Sequence, residues 1–148
     1  TGDMIRLADI VSELHKAGKQ VFVHIEMVNG IGRDSAAVHY LAKTFEVDGI
    51  ISTKMNAVIA AKQAGLRSIQ RIFAIDTAAM DTAIRMIRQS RPDEVEIMPG
   101  LMPRVIRDVK PKINCPMIVG GLIRTEEEIR EILQAGADHV SLGDTRHW

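Results

Sequence analysis

Short apolar runs alternate along this chain with longer stretches in which apolar residues recur every three or four positions. The first pattern is that of buried strands and the second that of amphipathic helices. Ile5, Leu7, Ile10, Val11 and Leu14 form the first helical stripe, opened by Asp3 as a cap and stopped by Gly18. Val21 to Ile25 reads as the first strand, Asn29 to Gly32 as a loop, and Asp34 as the cap of a helix reaching about Thr44. Asp48 to Thr53 is the second strand, followed by a helix over 56–64 that ends at Gly65. Ser68 to Ala74 is the third strand. A helix then starts at Asp76 or Thr77, runs to Ser90 and is closed by Pro92. Glu94 to Met98 is the fourth strand, followed by a short helix over 102–109. The fifth and sixth strands, 117–119 and 139–142, flank a helix over 125–134.

The strand centres near Phe22, Ile50, Ile72, Val95, Ile118 and Val140 stand 28, 22, 23, 23 and 22 residues apart. Strict alternation of short apolar strands with helices means parallel pairing through helical crossovers. The expected fold class is α/β, a TIM-type (β/α)8 barrel, with six parallel strands and six helices present. A complete barrel needs one more helix and two more strands, about 45 residues at this spacing. Residues 1–148 are therefore expected to be a single β/α-barrel domain lacking its N-terminal β-α-β quarter, with Thr1-Gly2 as the tail of a missing strand. Such a chain has two open sheet edges, which upstream residues or a second copy in a homo-oligomer should cover.

Because helices cover the outside of a barrel, polar strand residues should point inward or sit at C-terminal strand ends. By alternation His24 and Glu26 face inward from the first strand, Arg71 from the third, and Glu94 and Glu96 from the fourth, with Lys54 just past the second. Among these, Glu26 and Glu96 face Arg71 and Lys54, two acids against two bases, which satisfies the requirement that interior charge be compensated. Either these groups neutralise one another as a structural network or they grip a small polar anion, with Arg71 and Lys54 as cations and Glu26 and Glu96 holding hydroxyls. The last two strands bear on that choice. Pro116-Met-Ile-Val-Gly-Gly-Leu-Ile-Arg-Thr125 ends a strand in Gly120-Gly121, and Ala135-Gly-Ala-Asp-His-Val-Ser-Leu-Gly143 ends one in Ser141 and Gly143. Bare backbone amides at neighbouring strand ends are a place for a phosphate, and in β/α barrels the phosphate site follows strands seven and eight.

The remaining polar residues carry less. His24 in mid-strand reads as a core imidazole, and His15, His39, His139 and His147 lack metal-ligand spacing. Gly30 and Gly32 lack the rest of a dinucleotide fingerprint. Neither a catalytic set nor a metal set emerges, and no cofactor is implied.

The chain has 148 residues, 46% of them apolar, yet no apolar run approaches the roughly 18 residues of a membrane helix. Cys115 stands alone, so a disulfide framework is excluded and a reducing cytoplasm is the natural setting. Nineteen basic residues balance nineteen acidic ones, so affinity for nucleic acid would have to come from a local patch. One such patch is readable: Arg85, Arg88, Arg91, Arg104, Arg107, Lys110 and Lys112 are opposed only by Asp81, Asp93 and Asp108. It is either a solvated face or a contact surface for RNA or another polyanion, with Arg85, Arg88, Arg104, Arg107 and Lys110 as the candidate RNA contacts.

Read for longer motifs, the chain resembles the glycerol-uptake operon antiterminator regulatory protein family from end to end. The resemblance rests on Val47-Asp-Gly-Ile-Ile-Ser-Thr-Lys54, Ala60-Ala-Lys-Gln-Ala-Gly-Leu66 and Ile69-Gln-Arg-Ile-Phe-Ala-Ile-Asp76. Pro92-Asp-Glu-Val-Glu-Ile-Met-Pro-Gly100, Ile118-Val-Gly-Gly-Leu-Ile-Arg-Thr125, Gly136-Ala137 before Ser141, and Trp148 support it. It implies a β/α-barrel regulator, without catalysis, whose effector is glycerol 3-phosphate. Its expected partner is the leader mRNA of glycerol-utilisation operons, where it lets transcription pass a terminator. The implied ligand positions are Lys54, Arg71, Glu96, Gly120, Gly121 and Ser141, with Glu26 at a position usually acidic; the Gly143 amide joins them by its place at the strand end. Two departures stand out: Ser141-Leu-Gly-Asp144 replaces a Ser-Thr-Ser-like run, and the loop Met27-Val-Asn-Gly30 differs from the usual wording. Asp144 beside a phosphate would repel it unless it caps or points away. The competing class is a TIM-barrel enzyme, of isomerase, aldolase or phosphodiesterase type, acting on a small phosphorylated substrate.

Overall fold

The structure is a computed structural model that describes residues 2–147; Thr1, expected to continue a strand, and Trp148, part of the motif resemblance, lie outside the described residues. The chain divides into two compact units, Thr1–Gln70 and Arg71–Trp148, with one strand running across the boundary.

In the first unit β1 (Gly2–Asp3) leads into α1 (Met4–Lys16), and Asp3 caps that helix by accepting from the Arg6 amide at 3.2 Å. Of the expected apolar stripe only Leu7 and Val11 are buried, and Ile5 is 85% exposed. β2 (Phe22–His24) ends sooner than alternation suggests, because the chain winds into a 3-10 turn over Ile25–Met27. The segment after that turn is not all loop: β3 (Val28–Asn29) pairs in parallel with β1, Gly2 against Val28. Asp34 caps α2 (Ser35–Thr44) through the Ala37 amide at 2.9 Å. β4 (Gly49–Ser52) lies parallel to β2, and α3 (Met55–Gln63) connects it to β5 (Arg67–Phe73). The first half of β5 pairs with β4, Gly49 against Arg67 and Ser52 against Gln70. Gly49 is required where it stands: a Cβ there would lie 2.4 Å from the Phe22 ring and 2.7 Å from the Arg67 carbonyl oxygen. Val23 and Ile50 from the strands and Ile25 from the 3-10 turn pack with Val38, Leu41 and Ala61 from the helices to make this unit's core.

In the second unit, α4 (Thr77–Ser90) is capped by Asp76, which accepts from the Ala79 amide at 2.7 Å. It stops at Arg91, held in the left-handed region at φ 47°, ψ 60°. β6 (Glu94–Met98), α5 (Pro103–Val109) and a 3-10 turn (Lys110–Lys112) lead to β7 (Met117–Gly120). α6 (Glu126–Gln134) opens with a reciprocal capping box. The Glu128 amide donates to the Thr125 hydroxyl, and the Thr125 amide donates to the Glu128 carboxylate. The chain ends in β8 (His139–Ser141) and a short 3-10 turn. The second half of β5, then β6, β7 and β8, lie side by side in chain order, with the β6–β7 and β7–β8 pairs parallel. Val95, Ile97, Met117 and Val119 meet Ile87, Ile106 and Ile132 in the core. Among the described residues, six principal strands alternating with six helices are the α/β fold of TIM-barrel type, as the spacing predicts.

Both units use the same device at the N-terminal ends of their strands. The Asp48 carboxylate accepts from the Val21 amide at 2.6 Å while the Asp48 amide donates to the Val21 carbonyl at 3.0 Å. Asp138 does the same to Met117, at 2.7 and 2.9 Å. A basic side chain from outside the strands completes each clamp: the His15 imidazole at 2.8 Å from Asp48, and Lys110 on Asp138. The clamps hold both carboxyls below the usual carboxylate range. The Val21 amide is the leading cause for Asp48, and Lys110, ahead of the Met117 amide, for Asp138.

Candidate functional site

The polar residues gather at the C-terminal ends of the strands, in one cluster per unit. In the first unit Glu26 leaves the strand to which alternation assigns it and sits in the 3-10 turn after β2. Its Oε1 accepts from the Ser52 hydroxyl at 2.5 Å, from the Thr53 amide at 3.2 Å and from the Thr53 hydroxyl at 3.4 Å. Its Oε2 lies 3.1 Å from His24 Nδ1 but accepts no aligned hydrogen bond. With only 14% of its side chain exposed, Glu26 is a fixed acceptor whose second oxygen lies beside His24 and accepts no hydrogen bond. The Ser52 hydroxyl takes the Lys54 amide at 2.9 Å, which places Lys54 at the cap of α3 with its side chain exposed. Gln70, fully buried, donates to the Ser52 carbonyl at 3.2 Å, and its Oε1 has no partner among the described residues.

Ser52, Thr53 and Gln70 are the cluster members that residue-type reasoning passes over. A signal for them exists in the sequence: Ser52 and Thr53 are polar residues at the end of an apolar strand beside Lys54, and Gln70 is a polar residue within an apolar strand beside Arg71.

In the second unit Arg71 Nε donates to Glu96 Oε2 at 2.7 Å, with the side chains 14% and 2% exposed. Glu96 and Arg71 thus neutralise each other on adjacent strands. Gly120, at the end of β7, stands in register with Ser141. A Cβ on Gly120 would lie 2.9 Å from the Ser141 Cβ, 3.2 Å from its carbonyl oxygen and 3.3 Å from Glu96 Oε1. Glu96, Gly120 and Ser141 therefore converge at one point, and the space there exists because residue 120 has no side chain. Gly121 follows at φ 83° and Leu122 at φ 66°, two consecutive left-handed residues that turn the chain sharply out of β7. Gly143 is exposed, with open space around its Cα.

Asp144 caps, and does not stand free. It accepts from the Arg146 amide at 3.0 Å and takes the Arg146 guanidinium in a fork at 2.6 to 3.1 Å. That pairing raises the Arg146 pKa above its ordinary value and offsets the carboxylate charge that would otherwise face an anion.

The basic residues of α4 and α5 separate. Lys110 belongs to the Asp138 clamp and is not a free member of the patch. Arg104 pairs with Asp108 one turn on, at 3.4 Å, and Arg85 donates to the Thr82 hydroxyl at 2.9 Å. Arg88 instead lines a cleft of about 450 Å³ with Arg91, Lys112 and Asn114, while Arg107 is exposed. Among the described residues no group of three or more His, Cys, Asp or Glu side chains is disposed to hold a metal ion. No helix among them is long and apolar enough to cross a membrane.

Against known protein families, residues 1–148 match the model of the glycerol-3-phosphate responsive antiterminator. The chain belongs to that antiterminator family. Two solved structures are similar over nearly all of it. One is a glycerol uptake operon antiterminator regulatory protein of Listeria monocytogenes str. 4b F2365, with TM-score 0.95, 34% identity, and coverage of 99% of this chain and 80% of that one. The other is a glycerol uptake operon antiterminator-related protein of Thermotoga maritima MSB8, with TM-score 0.87, 34% identity, and coverage of 97% and 81%. The Escherichia coli (strain K12) protein YgcP, itself uncharacterised, is 35% identical over 147 residues, which are 99% of this chain and 77% of that protein. The motif resemblance in the sequence and the antiterminator fold therefore agree.

Proposed function

We propose that this chain is a non-catalytic cytoplasmic regulator that binds glycerol 3-phosphate and, in response, the leader mRNA of glycerol-utilisation operons. The observation that carries the reading is the convergence of Gly120, Ser141 and Glu96 at adjacent strand ends, beside the Arg71 guanidinium. On this reading the ligand's phosphate takes hydrogen bonds from the Gly120, Gly121 and Gly143 amides and the Ser141 hydroxyl, with Arg71 supplying charge. The Glu96 carboxylate accepts from a glycerol hydroxyl. Glu26 and Lys54 are further ligand positions on their own unit, Glu26 through the oxygen that accepts no hydrogen bond. The membership of the antiterminator family supports the effector and the regulatory role.

A regulator must bind effector and RNA in a coupled way, because only a difference in affinity between two states shifts an equilibrium. Calorimetry of the complete protein with glycerol 3-phosphate measures the first binding step, and titration of labelled leader RNA with and without the effector measures the coupling. A tenfold gain in RNA affinity corresponds to about 1.4 kcal/mol of coupling. RNA affinity that ignores the effector would sink the gating part of the reading, and turnover of glycerol 3-phosphate would replace the regulator with an enzyme.

A further inference from the structure

The second unit has a basic cleft at the end of the strands opposite to Gly120 and Ser141. Arg88 and Arg91 come from the end of α4, Pro92 from the step into β6, and Lys112, Asn114 and Cys115 from the approach to β7. The floor is Ile87 and Ile113, both buried. Three cations and a carboxamide line this cleft, and no acidic side chain does. Burial pushes the Cys115 thiol above its ordinary pKa, so it stays protonated and adds no negative charge at neutral pH. In a β/α fold the N-terminal ends of the strands usually serve stability; here the lining side chains are basic, with Asp93, Glu94 and Asp138 near enough to act on the Cys115 thiol.

The second observation is the backbone of Arg91. It is held in the left-handed region, where glycine and asparagine are favoured and other L-residues cost about 1–2 kcal/mol. A long cationic side chain is kept at a position whose local preference is for glycine, and strain of this kind gathers at binding sites.

We propose that the cleft of Arg88, Arg91 and Lys112 grips the phosphodiester backbone of single-stranded RNA; this assignment rests on the antiterminator function proposed for the chain and gives that function a surface. Guanidinium forks match phosphate oxygens, and the Asn114 carboxamide can both donate to and accept from a base edge. No aromatic side chain lines the cleft, so contact runs through the backbone and not through base stacking. A membrane surface fits less well, because the apolar residues present form a buried floor and offer no exposed wedge. β7 joins the two sites: its N-terminal end adjoins the cleft and Gly120 closes its C-terminal end. The strand is four residues long, roughly 13 Å.

The test is fluorescence anisotropy of the complete protein with an end-labelled uridine oligoribonucleotide of about 20 nucleotides, across a potassium chloride series, with saturating glycerol 3-phosphate. The variants are Arg88→Glu/Lys112→Glu, the milder Arg88→Gln/Lys112→Gln, and an Arg85→Glu/Arg107→Glu control on α4 and α5 outside the cleft. All four side chains are exposed, and thermal melts confirm that each variant folds. The cleft charge reversal is expected to weaken binding at least tenfold and to reduce the salt slope by about 1.4, at about 0.7 per phosphate lost. The glutamine pair should lose less, and the control should stay within about threefold. Unchanged affinity and slope in Arg88→Glu/Lys112→Glu, with the wild-type protein binding, overturns the cleft alone. An equal loss in the control overturns it too, since only the general field would then matter. Displacement of the RNA by polyglutamate at matched charge assigns the cleft to acidic proteins and overturns the RNA assignment. Absence of wild-type binding with and without effector overturns both the cleft and the antiterminator reading.

Discussion

The Arg71–Glu96 pair decides between a structural network and a ligand site, and a double-mutant cycle separates the two. The charges approach to 2.7 Å, with 14% and 2% of their side chains exposed. At that separation the Coulomb attraction is about 6 kcal/mol at an effective dielectric constant of 20, and the cost of dehydrating both groups offsets most of it. Arg71→Met strands a carboxylate that is almost wholly out of water, which should cost about 3–5 kcal/mol of folding stability. Glu96→Leu should cost less, about 2–3 kcal/mol, because the longer arginine can swing its head toward solvent. The Arg71→Met/Glu96→Leu double variant removes both charges, keeps the volume, and should fall within about 1 kcal/mol of the wild type. Urea unfolding at pH 7, with unchanged m-values, reads all three. A cost below about 1 kcal/mol for Arg71→Met would refute the reasoning, because Glu96 would then not be a desolvated carboxylate. The double variant also carries the functional half of the test. If the pair holds glycerol 3-phosphate, the stable double variant gives no ligand-induced melting shift. If the pair is only a structural network, the shift survives.

Gly120→Ala should destabilise the protein by about 1–3 kcal/mol by overpacking against Ser141 and should abolish the glycerol 3-phosphate melting shift. Gly143→Ala, in open space, should change stability by less than about 0.5 kcal/mol and keep the shift, since the backbone amide remains. Asp48→Asn and Asp138→Asn test the two strand clamps by pH. Both wild-type carboxyls have lowered folded pKa values, so their stabilisation is complete above the unfolded value of about 3.9 and fades as pH falls through the folded values. Each variant should therefore be about 1 kcal/mol less stable than wild type at pH 7, a figure discounted for side chains 30% and 39% exposed. The deficit should shrink as pH falls from about 3.9 through the lowered folded values, as urea unfolding across the pH range will show; a deficit unchanged in acid would mean that the charge is not what the clamp uses. Arg91→Gly should leave the melting temperature unchanged or raise it, by relieving left-handed strain worth about 1 kcal/mol, while weakening RNA binding at the cleft.

The helices are legible in the sequence because their signals are local. Asp3, Asp34, Asp76 and Thr125 each precede an apolar stripe and each caps the helix expected of it. The β1–β3 pairing is not legible, since two residues per strand carry no period. Alternation misplaces Glu26 for a related reason: parity holds only while the strand lasts, and β2 ends at His24. The stripe of α1 predicts a face but not what covers it, and Ile5 remains in solvent. Neighbours in sequence define the basic patch, and that view misses Asp138, which takes Lys110 from 28 residues away. Residue type and strand position single out Glu96, Gly120 and Ser141 one at a time, and only the structure brings them to one point.

Each unit separates its tasks along the strand direction. The aspartate clamps secure strand pairs at their N-terminal ends with backbone bonds in both directions, so the C-terminal ends need not contribute to register. Those ends are then free to carry groups that are poor for stability: a buried carboxylate oxygen at Glu26 that accepts no hydrogen bond, a bare Gly120, and two successive left-handed residues at Gly121 and Leu122. The basic cleft breaks this division, for it lies at the clamped end of β7, where Met117 is held by Asp138 and the same turn supplies both Lys110 to the clamp and Lys112 to the cleft. A ligand that shifts the end of β7 at Gly120 pulls on a strand whose other end is pinned beside the cleft. The pinning is what would let a small displacement at the proposed phosphate site reach the proposed RNA surface without being absorbed by slippage of the sheet.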